Sequence, residues 1–84
     1  MQDDEFEWDE AKAQGNLRKH KVGFEAACRV FDDLFALDRL DVGSEFTEAR
    51  YVVTGSVNGV LLTVVYAERG ERRRIISPRK ASEA

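Results

Sequence analysis

The alternation of apolar and polar residues is sharpest between Arg50 and Lys80, RYVVTGSVNGVLLTVVYAERGERRRIISPRK. Side chains alternate between two faces along a strand, so this stretch predicts a three-strand antiparallel meander. Val57-Asn58-Gly59-Val60 is the first turn, because Asn-Gly accepts the positive φ values of a type I′ hairpin. A second turn is predicted at Arg69-Gly70. Counting outward from the first turn pairs Val57 with Val60, Gly55 with Leu62, Val53 with Val64 and Tyr51 with Tyr66. With Ile75 of the third strand these residues form one apolar face, which makes both tyrosines core residues, with a phenol stacking on a base at the sheet edge as the alternative. The opposite face is predicted to carry Arg50, Thr54, Ser56, Thr63, Arg72 and Arg74, with Arg50, Ala67 and Arg72 in one row.

Upstream, Phe6-Glu7-Trp8 alternates as a short edge strand that sends Phe6 and Trp8 inward. Asp9 reads as the N-cap of a helix from Glu10 to His20, with Glu10 at the positive end of its dipole and Arg18, Lys19 and His20 in the last turn. Its apolar face is thin, resting on Ala11, Ala13 and Leu17. Lys21-Val22-Gly23 breaks it. Phe24, Ala27, Cys28 and Phe31 follow the i, i+3, i+4, i+7 spacing of a second helix that stops near Asp32-Asp33. Leu34 to Leu40 reads as a strand with Phe35 and Leu37 on one face and Asp38 on the other, with a continuation of the helix as the alternative. Asp41 to Thr47 reads as a polar loop, Pro78 as the end of the last strand, and Ala81 to Ala84 as the first turn of a helix. The order β-α-α-β-β-β-β predicts one α+β domain, residues 1–84, with two N-terminal helices packed on a mainly antiparallel sheet.

Composition sharpens this picture at a few points. At 84 residues, 43% hydrophobic and 35% charged, the chain is sized for one soluble core. Its longest apolar run, Val60 to Ala67, is too short to span a bilayer. The acidic N-terminus lacks the pattern of an export signal, and one cysteine makes no internal disulfide, which fits a cytoplasmic protein. Cys28, at an apolar helical position, reads as a core thiol. The net charge of -3 hides a segregation. Asp3, Asp4, Glu5, Glu7, Asp9 and Glu10 crowd the start, whereas Arg69, Arg72, Arg73, Arg74, Arg79 and Lys80 crowd the end. Such segregation creates a local positive field, although a charged edge strand also guards against aggregation.

Most site chemistries are absent from the sequence. No glycine-rich loop opens a helix, no Gly-x-Ser-x-Gly elbow occurs, and one His with one Cys does not make a zinc site. No cofactor or metal is expected. What remains is directed at phosphate. Arginine binds phosphate through a planar fork and stabilises charge developing on a phosphorane. RNA can be cut without metal when its 2′-OH attacks the adjacent phosphate. Arg69, Arg74, Arg79, Lys19, Lys21 and His20 are the candidates for that work. His20 also reads as a simple helix-end residue, and Arg72 and Arg73 as a solvated hairpin end.

The string FEWDEAKAQGNLRKHKVGFEAACRVF, followed by Glu-Ala-Arg-Tyr, a Gly hairpin, VVYAERG and RRIISPRKA, resembles the BrnT family of bacterial toxins. The specific combination is Trp8-Asp9, Asn16, Lys19-His20, Phe24-Glu25-Ala26, Arg69-Gly70 and Ile75-Ile76-Ser77-x-Arg79, in order over almost the whole chain. The resemblance implies a RelE-like ribonuclease fold and a metal-independent endoribonuclease that cleaves RNA and arrests translation and growth. It implies a cognate BrnA-like antitoxin with a DNA-binding ribbon-helix-helix, joined to the toxin in a mixed oligomer that represses its own operon. Carried over residue by residue, the matching basic positions are Lys19, His20, Arg69, Arg74 and Arg79 as catalytic candidates, and Arg79 leads. Arg50, Arg72 and Lys21 are expected to contact RNA. Lys21 stands where the family usually has Gly, and Pro78 replaces a small residue before Arg79. The family's C-terminal basic helix would be cut short at Ala84. Two readings compete with the ribonuclease on the residues alone: a domain that binds nucleic acid without cutting it, and a protein-interaction module using the charged sheet edge.

Overall fold

In a computed structural model the described residues are 5–41 and 49–81. Their elements are β1 (Phe6–Glu7), α1 (Glu10–His20), α2 (Phe24–Val30), β2 (Leu37–Asp41), β3 (Arg50–Val57), β4 (Val60–Arg69) and β5 (Arg72–Lys80). The strands form one sheet in the order β1-β5-β4-β3-β2, antiparallel throughout except that β1 runs parallel to β5. The α+β architecture expected from the sequence is present. Most of the loop expected at Asp41 to Thr47, and the helical turn expected after Ala81, lie outside the described residues.

The first hairpin has the predicted register, from Val57↔Val60 to Tyr51↔Tyr66. Asn58 and Gly59 take φ values of 51° and 82°, the positive pair a type I′ turn requires. Val53, Gly55, Leu62, Val64, Tyr66 and Ile75 are buried on one face, against Phe24, Ala27 and Val30 of α2. Phe24, Ala27 and Val30 recur every three residues, so α2 turns Val30 fully inward and leaves Cys28 and Phe31 only half-buried. Gly55 permits this packing. A Cβ there would lie 3.0 Å from both Ala36 Cβ and Val30 Cγ1.

An aromatic cluster closes the other end of the core. Phe31 meets Tyr66 edge-on at 4.9 Å and Phe6 at 5.5 Å, while Tyr51 stacks on Tyr66 at 5.5 Å. The Tyr66 hydroxyl donates to Asp38, and burial together with that carboxylate holds the phenol well above its ordinary pKa. The Arg73 guanidinium lies 4.5 Å from the centre of the Phe31 ring. Arg73 therefore belongs to the helix side of the sheet and is not a solvated hairpin end.

Four further expectations need correction. The strand expected from Leu34 begins only at Leu37. Leu34 and Phe35 are 95% and 88% exposed, because Asp33 folds the chain into a turn. Its carboxylate accepts from Phe35 N–H at 2.9 Å and from Ser56 N–H at 2.8 Å. Those bonds, the Ser56 one first, hold its pKa below the usual carboxylate range. The second hairpin turns at Gly70-Glu71 and not at Arg69-Gly70. A positive φ at Gly70 alone, +60°, is the type II′ pattern, and Arg69 pairs with Arg72. The row through Ala67 therefore ends on Arg74, not Arg72.

The third correction is Pro78, which does not end β5. The strand runs on to Lys80. Pro78 pairs with Val64, and its carbonyl accepts from Asn16 Nδ2 at 2.7 Å on the side away from β4. A residue's N and C=O point to the same side of a strand, so the missing N–H falls on the edge where no ladder bond is lost. The fourth concerns α1, which buries none of its residues. Ala13 is half-buried and packs against the core as expected, but Leu17 is 50% exposed and Ala11 exposed, and the helix lies along the edge of β5.

Asp9 caps α1 as expected, accepting from Ala11 N–H at 2.9 Å and Lys12 N–H at 3.2 Å. At the other end Lys21 adopts the left-handed conformation, φ 61°, with its N–H bonded to Leu17 C=O at 2.9 Å. Glycine is the residue suited to that position, because a Cβ crowds the following carbonyl there. Lys21→Gly is expected to raise the unfolding free energy by about 0.5–1 kcal/mol. The check is a higher denaturant midpoint at unchanged slope; an unmoved or lower midpoint would show the conformation to be unstrained.

Candidate functional site

Helix α2 covers one face of the sheet, α1 lies along its β5 edge, and the other face carries the arginines. Alternation puts Arg39 of β2, Arg50 of β3, Arg69 of β4, and Arg72 and Arg74 of β5 on that uncovered face. Arg79 reaches the same face through an irregularity in β5. Tyr66 pairs with Ile75 but Val65 pairs with Ser77, so Ile76 is an extra residue. One extra residue flips every later side chain, which turns Pro78 into the core and Arg79 outward.

Arg50, Arg69 and Arg74 come together with Lys12 and Asp9 in a cleft of about 170 Å³ beside Ile75 and Ile76. One step beyond the Tyr51↔Tyr66 pair sets Arg50 opposite Ala67, and Ala67 pairs with Arg74. The small alanine separates two arginines in one row. Guanidinium groups at this spacing can present N–H donors to one shared anion, which suits the cleft to a phosphate. Glu7 fixes Arg74 through an ion pair at 2.9 Å. That pair joins β1 to β5, so Arg74 is pre-oriented and not swinging in solvent.

Among the described residues Asp9 is the only acid lining the cleft. The backbone N–H of Lys12 above all, then that of Ala11 and the nearby charges of Lys12 and Arg74, hold its carboxyl below the usual range. A carboxylate bound to two helix N–H groups is a poor proton acceptor, so Asp9 positions the helix and Lys12. Lys12 was not among the residues singled out from the sequence. The only signal for it was its place three residues after the cap, on the turn facing β5.

The remaining candidates are dispersed. Arg79 borders a separate hollow on the same face, with Arg39 and Thr63. Arg72 sits opposite Arg69 at the hairpin end. Lys19, His20 and Lys21 lie at the far end of α1. That helix runs alongside β5 in the same direction, with Lys12 beside Ile76 and Asn16 beside Pro78. The Lys19–Lys21 group therefore follows toward the Lys80 end of the strand, and does not line the arginine cleft. Among the described residues no group of three or more His, Cys, Asp or Glu is placed to hold a metal ion, and no helix is long and apolar enough to cross a membrane.

No curated protein matches the chain. Residues 8–84 match the family described as "Ribonuclease toxin, BrnT, of type II toxin-antitoxin system". That match takes in both helices, the four-strand core of the sheet and every residue of the arginine cleft, and the chain belongs to this family of ribonuclease toxins.

Proposed function

We infer that this chain is an endoribonuclease that cuts RNA without a metal ion, and that its cognate antitoxin silences it by folding over the toxin. The observation that carries the reading is the cleft in which Arg50, Arg69, Arg74 and Lys12 converge on the uncovered face of a ribonuclease-toxin chain. The reaction needs no more than RNA itself supplies. The 2′-oxygen forms a bond to the adjacent phosphorus as its proton leaves. The bond from phosphorus to the 5′-oxygen then breaks, and that oxygen takes up a proton. The products are a 2′,3′-cyclic phosphate and a 5′-hydroxyl.

Negative charge builds on the phosphate oxygens along this path. Preorganised cations aimed at that charge lower the barrier more than any other single device. Arg50 and Arg74 flank the phosphate across Ala67, and Arg69 approaches along β4. Arginine stays protonated at any working pH and offers paired N–H donors to two oxygens at once. Lys12 completes the ring of positive charge. Arg79, Arg72, Lys19, His20 and Lys21 fall outside the cleft, and we assign them to the flanking RNA strand.

The test is cleavage of a defined RNA by the purified chain in excess EDTA, with analysis of the product ends. Cyclic phosphate and 5′-hydroxyl ends, formed in EDTA and suppressed by the co-expressed antitoxin, are the expected result. Cleavage that requires added Mg²⁺ and leaves 5′-phosphate ends would overturn the mechanism. Tight, salt-sensitive RNA binding with no cleavage would favour a non-catalytic binder instead.

A further inference from the structure

Beside the arginine cleft lies a second hollow of about 300 Å³ on the same face. Val52, Thr63 and Val65 floor it, Arg39 and Arg79 flank it, and Asp41 stands at its rim. Val52 and Val65 are a direct cross-strand pair and half-buried, so together they make a flat apolar surface. Arg39 stands on β2 and Arg79 on β5, on either side of the two central strands. Both are exposed, and neither makes an ion pair among the described residues. Asp41 pairs in the ladder with Arg50 of the neighbouring cleft, so the two depressions share a border.

We propose that this hollow is a nucleotide subsite, in which Arg39 and Arg79 grip an RNA phosphate while a base rests on Val52 and Val65. The proposal rests on the ribonuclease reading above and extends it to the substrate's neighbouring nucleotide. Three features support it. An apolar floor beside guanidinium planes suits the face of an unstacked base. Two outward arginines that make no ion pair among the described residues suit a phosphate. The spacing is right as well: the Ala67 row lies two to four residues along β4 from Val65 and Thr63, roughly 7–13 Å. That is the reach of a strand continuing from the cleaved phosphate to the next nucleotide or two. The Ile76 irregularity then has a functional consequence, because without it Arg79 would point away from this face.

The test uses non-cleavable 2′-O-methyl RNA of two and four nucleotides with the full chain, read by fluorescence anisotropy at low salt. In the wild type, lengthening from two to four nucleotides should tighten binding about tenfold, as expected for one charge-assisted phosphate contact. In Arg39→Ala that gain should vanish, and KM for a cleavable tetranucleotide should rise with little change in kcat. Arg39→Lys should restore only part of it, since the ammonium lacks the planar fork. Circular dichroism of each variant checks that β2 remains paired. If Arg39→Ala retains the full gain with length, or weakens both oligonucleotides equally, the subsite is refuted. Failure of the wild type to bind or cut any RNA would instead refute the ribonuclease reading on which the subsite rests.

Discussion

Replacing Arg69 by alanine is expected to slow RNA cleavage about 10²–10³-fold while leaving the fold intact. Arg69 is the sharpest probe of the cleft because it stands exposed at a strand end, whereas its neighbours lie where strands meet. Arg74 anchors β1 through Glu7, so its loss would mix catalysis with strand docking. Arg50 pairs with Asp41 in the ladder between β2 and β3. Arg69 ends β4 as an exposed residue beside the Gly70 turn, where truncation removes little packing. Unfolding free energy should stay within about 0.5 kcal/mol of the wild type. The loss should fall on kcat, because charge on the phosphate grows toward the transition state and the arginine meets more of it there. Arg69→Lys should recover a minor part of the rate. Single-turnover cleavage of a short RNA, with thermal unfolding of the same preparations, makes the measurement. A rate within threefold of the wild type would move the reaction out of this cleft and toward the Arg39–Arg79 hollow.

The residues that decide the site were unevenly legible in the sequence. Asn58-Gly59 has one strongly preferred turn, and from it followed the whole register from Val57↔Val60 to Tyr51↔Tyr66. The identity of the buried face followed with it. Gly70 was ambiguous by one position, because Arg69-Gly70 and Gly70-Glu71 are both acceptable two-residue turns. That step exchanged Arg72 for Arg74 in the row beside Ala67. The extra residue at Ile76 leaves no local mark in RRIISPRK, since it depends on how β5 meets β4. Pro78 looked like a strand end because its neighbour at the edge, Asn16, lies 62 residues away. Leu34 and Phe35 read as strand because they continue the apolar run into Leu37, whereas Asp33 turns them into solvent. The family resemblance indicated the reaction class and the basic positions. It did not indicate which of them converge, and that is a matter of sheet register.

The largest stability effect tied to function is expected at Asn16, and it follows from how poorly α1 holds itself. With no fully buried residue, this helix has only the half-buried Ala13 as hydrophobic attachment to the core. Asn16 supplies the polar attachment. Its Nδ2 donates to Pro78 C=O at 2.7 Å and to Val22 C=O at 3.3 Å, and its Oδ1 accepts from the Ser77 hydroxyl at 3.1 Å. One amide thus ties the helix to β5 and to the segment that leads into α2. Asn16→Ala strands two carbonyls and a hydroxyl in part-buried positions, and is expected to cost about 2–3 kcal/mol. Asn16→Asp keeps an acceptor for Ser77 but sets negative charge against two carbonyl oxygens, and should be no better. Because α1 also carries Lys12 to the arginine cleft, cleavage should fall together with stability, although Asn16 does not line that cleft. Denaturant unfolding measures the cost. Amide hydrogen exchange locates it, with protection lost first along Glu10–His20 and retained in β3 and β4. An Asn16→Ala protein as stable as the wild type, with α1 equally protected, would mean that the helix is held by contacts other than this amide.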